Sequence, residues 1–271
     1  MSGQEPLSLP SVDGLALDTR LHRASGDARG VVVLVHGITA DLDEGGMYIR
    51  LAQRLVGADY SVLRFSFRGH GESGGTQRGV TVAGEMLDLE AALTYARTIA
   101  GVPLTVVASS FGAVATLHTA DYLHPDALVL WNPILDLRHT FVEPELEWGR
   151  QNFHAQAWAQ AKDEGGLVVD DTFELGRALL NEFTRYNPGE IFARSTVPAL
   201  IVHGDRDSYV SYDVARAAAQ ARGCDFHTVA GSDHGFDSRD REDEAISVTV
   251  AWIAGLGGVG SAAGSSSGGE R

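Results

Sequence analysis

The sequence predicts an α/β fold, with a mostly parallel central sheet and helices on both of its faces. Three observations carry that prediction. Short continuous runs such as Val31-Val32-Val33-Leu34-Val35 have the β-branched pattern of strands buried on both faces. Such runs alternate along the chain with segments of helical pattern, which is the order that a parallel sheet with crossover helices produces. Several runs end directly in a glycine-containing loop, as a tight turn at a strand end requires. In sheets of this kind functional residues gather beyond the C-terminal ends of the strands, so those loops are where chemistry is sought.

Taken in order, residues 1–13 read as a loose lead-in and Leu15 to Arg23 as a half-buried strand of partial alternation. The run at Val31–Val35 is a buried strand ending in His36-Gly37-Ile38-Thr39. Gly46 to Leu55 has helical spacing, and Tyr60 to Phe67 is a further strand. The loop Arg68-Gly69-His70-Gly71-Glu72-Ser73-Gly74-Gly75 is glycine-rich, but it has neither a phosphate-loop lysine motif nor dinucleotide glycine spacing, so no nucleotide site is expected. Val80 to Ile99 reads as a long helix, Leu104 to Ala108 as a strand, and the small residues after Phe111 as a helix. Ala127 to Trp131 is another strand. Residues 136–186 change character, with helical patches and scattered aromatics, and read as a small helical lid inserted over the sheet. The strand pattern resumes at Val197–Val202. An alanine-rich helix over Val210–Ala221, a strand at Asp225–Val229 and a helix from Glu244 to Leu256 follow. The expected division is therefore a core of residues 12–135 and 187–256, a lid of 136–186, and a disordered Gly/Ser-rich tail of 257–271.

A chain of 271 residues with 44% hydrophobic content suffices for one large domain whose core needs no staples. The single cysteine, Cys224, precludes an internal disulfide framework. The net charge of −15 argues against nucleic acid and anionic membrane as partners, because Lys and Arg supply phosphate affinity. The chain begins without a signal-peptide pattern and has no stretch long enough to span a membrane, so a cytoplasmic location is the expectation. His22, His118, His124, His139, His154 and His227 have no metal-ligand spacing, and neither a metal nor a cofactor is expected.

The stretch Val106-Val107-Ala108-Ser109-Ser110-Phe111-Gly112 carries the chemistry. A serine between a buried strand and a helix lies on a sharp turn that pushes its hydroxyl outward, the geometry of a nucleophile elbow. Strand and helix backbones approach closely there, so the residues two before and two after the nucleophile must be small. Ser110 meets the condition through Ala108 and Gly112; Ser109, flanked at those positions by Val107 and Phe111, does not. Partners are then expected past other strand ends. His203-Gly204-Asp205-Arg206-Asp207 follows one strand and Ser232-Asp233-His234 follows the last, giving the order Ser, Asp at 205 or 207, His. His36, His70 and His203, each beside a glycine turn, read as loop braces.

These motifs, together with His36-Gly37-Ile38 and Phe67-Arg68-Gly69-His70-Gly71-Glu72-Ser73, resemble the α/β-hydrolase family across nearly all of residues 12–256. The resemblance implies that Asp207, three residues after the strand-ending glycine, is the acid of a Ser110–Asp207–His234 triad, with Asp205 a turn residue. It also implies an oxyanion hole formed by the backbone N–H groups of Phe111 and Ile38. The sequence departs from the elbow motif at Ala108, which replaces a glycine with a residue still small enough for the turn. Serine at position 110 separates the chain from haloalkane dehalogenases and the usual epoxide hydrolases, which carry Asp there.

A serine triad transfers an acyl group to water and leaves the leaving group open. Within the family the chain is similar to bacterial cinnamoyl- and feruloyl-type esterases and to acyl thioesterases. Hydrolysis of a small-molecule carboxylic ester is expected first. The alternative is a thioester of coenzyme A or of an acyl-carrier protein, which would then be a partner. A non-catalytic binding protein is disfavoured by the intact triad. Trp148, Phe153, Trp158 and Phe183 of the lid are the expected lining of an acyl pocket, with part of the lid's aromatics forming its own core.

Overall fold

The structure, a computed structural model, describes residues 4–259. In chain order the elements are β1 (Gln4–Pro10), β2 (Ala16–His22), β3 (Gly30–Val35), α1 (Met47–Val56), β4 (Tyr60–Phe65), α2 (Val82–Ile99), β5 (Leu104–Ser109), α3 (Gly112–Leu123) and β6 (Ala127–Trp131). There follow α4 (Glu147–Asn152), α5 (Ala155–Glu164), β7 (Gly166–Val169), β8 (Phe173–Gly176), α6 (Arg177–Glu182), α7 (Pro188–Arg194), β9 (Ala199–Gly204), α8 (Tyr212–Arg222), β10 (Asp225–Val229) and α9 (Arg239–Val259).

Eight strands form one sheet in the order β1-β2-β4-β3-β5-β6-β9-β10. From β4 to β10 every pairing is parallel, and β1 and β2 are added antiparallel at one edge. The period-2 alternation of β3 explains the layering. Val31, Val33 and Val35 pack with α2, α3, α7 and α8 on one face, and Val32 and Leu34 pack with α1 and α9 on the other. Each buried side chain of this kind contributes roughly 1.5–3 kcal/mol, so the sheet is fixed from both sides. Its central strand is β5, held between β3 and β6 in a register that brings Val35, Ala108 and Leu130 side by side. The loops after β3, β5, β9 and β10 consequently emerge on one edge.

Three elements differ from the sequence expectation. The lead-in at 1–13 contains β1, whose Pro6 and Pro10 and largely exposed pattern hide it; an edge strand tolerates proline because one side needs no donors. The stretch 136–186 is not purely helical: β7 and β8 form a separate antiparallel hairpin between α5 and α6. α9 continues to Val259, three residues into the expected tail at 257–271. Residues 260–271 lie outside the described residues.

The 136–186 insertion shares a hydrophobic cluster with the sheet-bearing part of the chain. Phe141, Phe153, Leu179 and Phe183 from the insertion pack with Ile38, Val80, Val82, Phe111 and Val114. The insertion therefore rests directly on the elbow.

Candidate active site

β5 ends at Ser109 and α3 starts at Gly112, leaving Ser110 and Phe111 to turn the chain. Ser110 has φ of 50°, a left-handed conformation that strains any residue with a Cβ and that survives where the surroundings enforce it. The enforcement is visible at Gly112, where a Cβ would stand 2.4 Å from the His36 carbonyl oxygen and 3.0 Å from that of Val35. Ala108 is fully buried on the preceding strand. The structure thus meets the small-residue condition around Ser110, while the neighbouring Ser109 hydroxyl is directed at Glu44, 3.4 Å away.

The loops after β9 and β10 bring Asp207 and His234 to the same edge. The Ser110 hydroxyl lies 2.9 Å from His234 Nε2, and His234 Nδ1–H donates to Asp207 Oδ2 at 2.8 Å. Asp207 is buried and receives further donors: His203 Nε2–H at 3.1 Å on Oδ2, and the Tyr209 and Val210 amides at 2.8 Å each on Oδ1. Asp205 points elsewhere and caps the Gly231 N–H. The Asp207 and His234 loops are tied together by Asp233, whose Oδ1 accepts the backbone N–H of Ser208 and of His234, both at 2.8 Å, and the Ser208 hydroxyl at 2.9 Å. Buried Asn132, just past β6, accepts the Gly204 N–H at 3.0 Å and donates to the His234 carbonyl.

The electrostatics follow from this arrangement. Burial alone would raise the Asp207 carboxyl, but the charge of His234 and the bonds from both histidines hold it well below the usual carboxylate range. Burial alone would lower His234; the Asp207 charge and hydrogen bond, with help from Glu44 and Asp233, instead raise it above an ordinary histidine. The imidazolium is thereby favoured, which is what a base beside a weak hydroxyl nucleophile needs.

On the other side of Ser110, the loop after β3 comes so close that a Cβ on Gly37 would stand 3.2 Å from Ser110 Cβ. His70 Nε2 lies 2.7 Å from the Ile38 carbonyl, and His36 spans the loop from Gly37 to Phe67. Among the described residues, neither the Ile38 nor the Phe111 amide donates a hydrogen bond, and no side chain caps α3 at Phe111. Two free amides and the positive end of a helix therefore flank the serine.

A cavity of about 80 Å³ opens at Ser110, lined by Ile38, Glu44, Ile134, Trp148, Asp170, Tyr209 and His234 among others. Of the four lid aromatics expected to line a pocket, Trp148 does so. Phe153 and Phe183 do not: each is 1% exposed and packed with Phe141 in the insertion's core. Trp158 is half-buried against the same cluster, away from the cavity. An insertion of this length must build its own core, and its largest apolar side chains are used for that. The sequence reading missed Tyr209, which stacks on His234 with ring centroids 4.8 Å apart at 7°. Trp148 also stacks on Tyr209, at 5.0 Å, and donates from Nε1 to Asp170 at 2.8 Å. It also missed Glu44, for which the sequence carries no signal. Among the described residues no three or more His, Cys, Asp or Glu side chains converge as a metal site would require. No helix among them is long and apolar enough to cross a membrane.

The family model described as serine aminopeptidase, S33 (Hydrolase_4) matches residues 26–177, more than half of the chain. The monoacylglycerol lipase of Mycolicibacterium smegmatis is 26% identical over 236 residues, covering 75% of this chain and 79% of that protein. Est1E from Butyrivibrio proteoclasticus, solved with ferulic acid bound, superposes with a TM-score of 0.75 at 20% identity, covering 92% of this chain and all of that one. The Pyrococcus furiosus esterase PF2001 superposes with a TM-score of 0.70 at 18% identity, covering 93% of this chain and 90% of that one. The parallel sheet, the strained serine at its central strand and the match of the family model converge: the chain belongs to the Hydrolase_4 family, described as serine aminopeptidase S33, and has the α/β-hydrolase fold.

Proposed function

We propose that Ser110, His234 and Asp207 form a catalytic triad that hydrolyses small carboxylic esters through an acyl-enzyme on Ser110. The protein is a carboxylic ester hydrolase on this reading. The observation that carries it is the unbroken chain of contacts from Ser110 Oγ to His234 Nε2 at 2.9 Å and from His234 Nδ1 to Asp207 Oδ2 at 2.8 Å. His234 takes the serine proton as Ser110 attacks the acyl carbon, and returns it to the leaving alcohol. Asp207 keeps Nδ1 protonated, so Nε2 is the free base. The Ile38 and Phe111 amides receive the oxyanion, and each donor is worth about 3–4 kcal/mol in the transition state. Water then repeats the sequence on the acyl-enzyme.

The cavity of about 80 Å³ favours a short acyl group, since sites for drug-sized ligands run to several hundred Å³. The 136–186 insertion serves as a lid over it, with Trp148 as the wall. A thioester of coenzyme A or of an acyl-carrier protein suits the site less well. The cavity and the groove beside it are lined by Asp41, Asp43, Glu44 and Asp170, and among the described residues no Lys or Arg lines them to meet a phosphate.

The test is covalent. A fluorophosphonate probe should label the native protein and fail to label Ser110→Ala, and the variant's kcat on p-nitrophenyl acetate should fall by at least about 10³-fold. Labelling or turnover that survives in Ser110→Ala would sink the reading.

A further inference from the structure

We propose that Glu44 is a positioning residue of the Ser110 site: its carboxyl group anchors the Gly37 N–H, at the start of the loop segment that presents the Ile38 N–H to the oxyanion, and its negative charge supports the His234 imidazolium formed as Ser110 attacks. The inference rests on the triad reading above and deepens it.

The geometry carries the argument. Glu44 Oε2 accepts the Gly37 N–H at 2.9 Å, seven residues back along the chain, and Oε1 accepts from the Ser109 hydroxyl at 3.4 Å. One carboxyl group therefore reaches both segments that supply the oxyanion amides: the loop that continues into Ile38 and the elbow that continues into Phe111. The Ile38 peptide is held from the other side by His70 at its carbonyl, 2.7 Å away. Between them the Gly37 carbonyl, on the same peptide as the Ile38 N–H, lies 2.7 Å from His36 Nδ1; with the Gly37 N–H and both carbonyls bonded, the Ile38 N–H has one orientation, as preorganisation of an oxyanion hole requires. The backbone is distorted to deliver the side chain: Glu44 has φ of 45°, a conformation that costs a non-glycine residue energy and persists where something else demands it.

The charge is equally placed. Glu44 lines the cavity together with Ser110 and His234, and among the described residues no Lys or Arg pairs with it. The charged and titratable groups facing it are Asp41 on its own loop, Tyr48 on α1, whose hydroxyl is spent on the Val35 carbonyl, and His234 beyond Ser110. Asp170 and Tyr209 line the far wall of the cavity, and Asp207 and Asp233 stand behind His234. The group of opposite charge in this set is His234. Burial pushes the Glu44 carboxyl up to about 7, against the Gly37 bond and the His234 charge, which favour the anion. The anion in turn is one of the charges that raise His234.

The two roles separate in two variants. In Glu44→Gln the amide oxygen still accepts the Gly37 N–H while the charge is lost. In Glu44→Ala both are lost. On p-nitrophenyl acetate, Glu44→Ala should lose about tenfold or more in kcat with KM within about twofold, because the oxyanion contact exists in the transition state. Glu44→Gln should keep more of kcat than Glu44→Ala. The acid limb of its kcat/KM profile should move to lower pH by at least about 0.3 unit, because an imidazolium with one anion fewer gives up its proton more readily. Fluorophosphonate labelling of the native protein is run alongside. If native protein neither labels nor turns over, the triad reading fails and this proposal with it. If native protein labels and Glu44→Ala keeps kcat within about twofold, the triad stands and the proposal is overturned. An acid limb unmoved in Glu44→Gln also overturns it, and that measurement decides alone should Glu44→Ala not fold.

Discussion

Four donors converge on the Asp207 carboxylate: His234 and His203 on Oδ2, and the Tyr209 and Val210 amides on Oδ1. The backbone amides can only donate, whereas an imidazole can change tautomer, so an amide at this position turns its NH₂ toward the histidines and sets His234 in the wrong tautomer. Asp207→Asn should therefore lose roughly 10³–10⁴-fold in kcat, whereas Asp205→Asn, which alters a turn at Gly231, should keep kcat within about threefold. Steady-state kinetics on p-nitrophenyl acetate decide, and equal losses in the two variants would refute the assignment. The pH profile gives the same answer with a definite sign. His234 must be neutral to accept the serine proton, and its protonated form is raised above the ordinary histidine by Asp207. Native kcat/KM therefore begins to fall above pH 6.5 as pH is lowered, and in Asp207→Asn that limb moves to more acid pH. The order Ser110, an Asp at 205 or 207, then His234 was legible in the sequence because each follows a strand run and because small residues at 108 and 112 single out Ser110, while the choice of Asp207 rested on the family resemblance. His203 on the acid and Glu44 on the oxyanion loop were not legible. Their partners are fixed by how two turns fold back, and nothing in a linear pattern reports which way a side chain in a turn points.

At the level of elements, the strands β3, β5, β6 and β9 are mostly apolar and buried at every residue, and a run buried on both faces announces itself. β1 and the β7–β8 hairpin do not, since the first is an exposed edge strand with two prolines and the others have four residues each. The insertion poses a subtler problem. Composition marks its aromatics as important but does not distinguish those that fill its core from those that face the cavity. Trp148 belongs to the second group because the start of α4 is pinned to the acid loop: its backbone N–H donates to the Ser208 carbonyl at 3.3 Å, and its ring stacks on Tyr209. Phe153, one turn further, faces Phe141 and Phe183. Alanine at each position should thus do different things. Trp148→Ala enlarges the cavity and should raise kcat/KM for p-nitrophenyl hexanoate relative to acetate by about tenfold, the scale of a few added apolar contacts. Phe153→Ala removes core volume and should cost about 3–5 kcal/mol of stability while leaving the chain-length preference of the folded fraction unchanged. A chain-length series with a denaturant titration on both variants separates them. The same shift in preference from both would mean that the insertion acts as one loose body rather than as a wall and a core.

Across the whole molecule, the sheet gathers the active loops at one edge, and the insertion is seated there over α2 and the elbow. That seating buries carboxyl groups. Glu85, in the first turn of α2, is fully buried with Oε2 unpartnered, facing Asp88, which is committed to Arg68, and Glu182 of α6. Burial, with the charges of Asp88 and Glu182, pushes Glu85 well above the usual carboxylate range, and burial raises Glu182 as well. On the opposite side of the balance stand buried histidines. Burial holds His36 well below its ordinary value, and burial with the Arg64 charge lowers His22 to about 4. The two sets act on stability with opposite sign. A carboxyl whose folded pKa is raised stabilises fully below its unfolded value near 4.5, and the contribution is lost as pH rises through the folded pKa. A histidine whose folded pKa is lowered stabilises above its unfolded value near 6.5, and the contribution is lost as pH falls toward the folded pKa. Stability should therefore peak between the two and decline on the alkaline side as Glu85 is forced to ionise beneath the insertion. Glu85→Gln removes that ionisation while keeping shape and polarity. Its Tm should match the native protein near pH 4 and exceed it progressively as pH rises from 5 to 9, by about 2–4 °C for each kcal/mol relieved in a protein of this size. Thermal scans at a fixed rate across that range are the measurement. Parallel Tm–pH curves for native and Glu85→Gln would show that the buried carboxyl is not what limits the fold at alkaline pH.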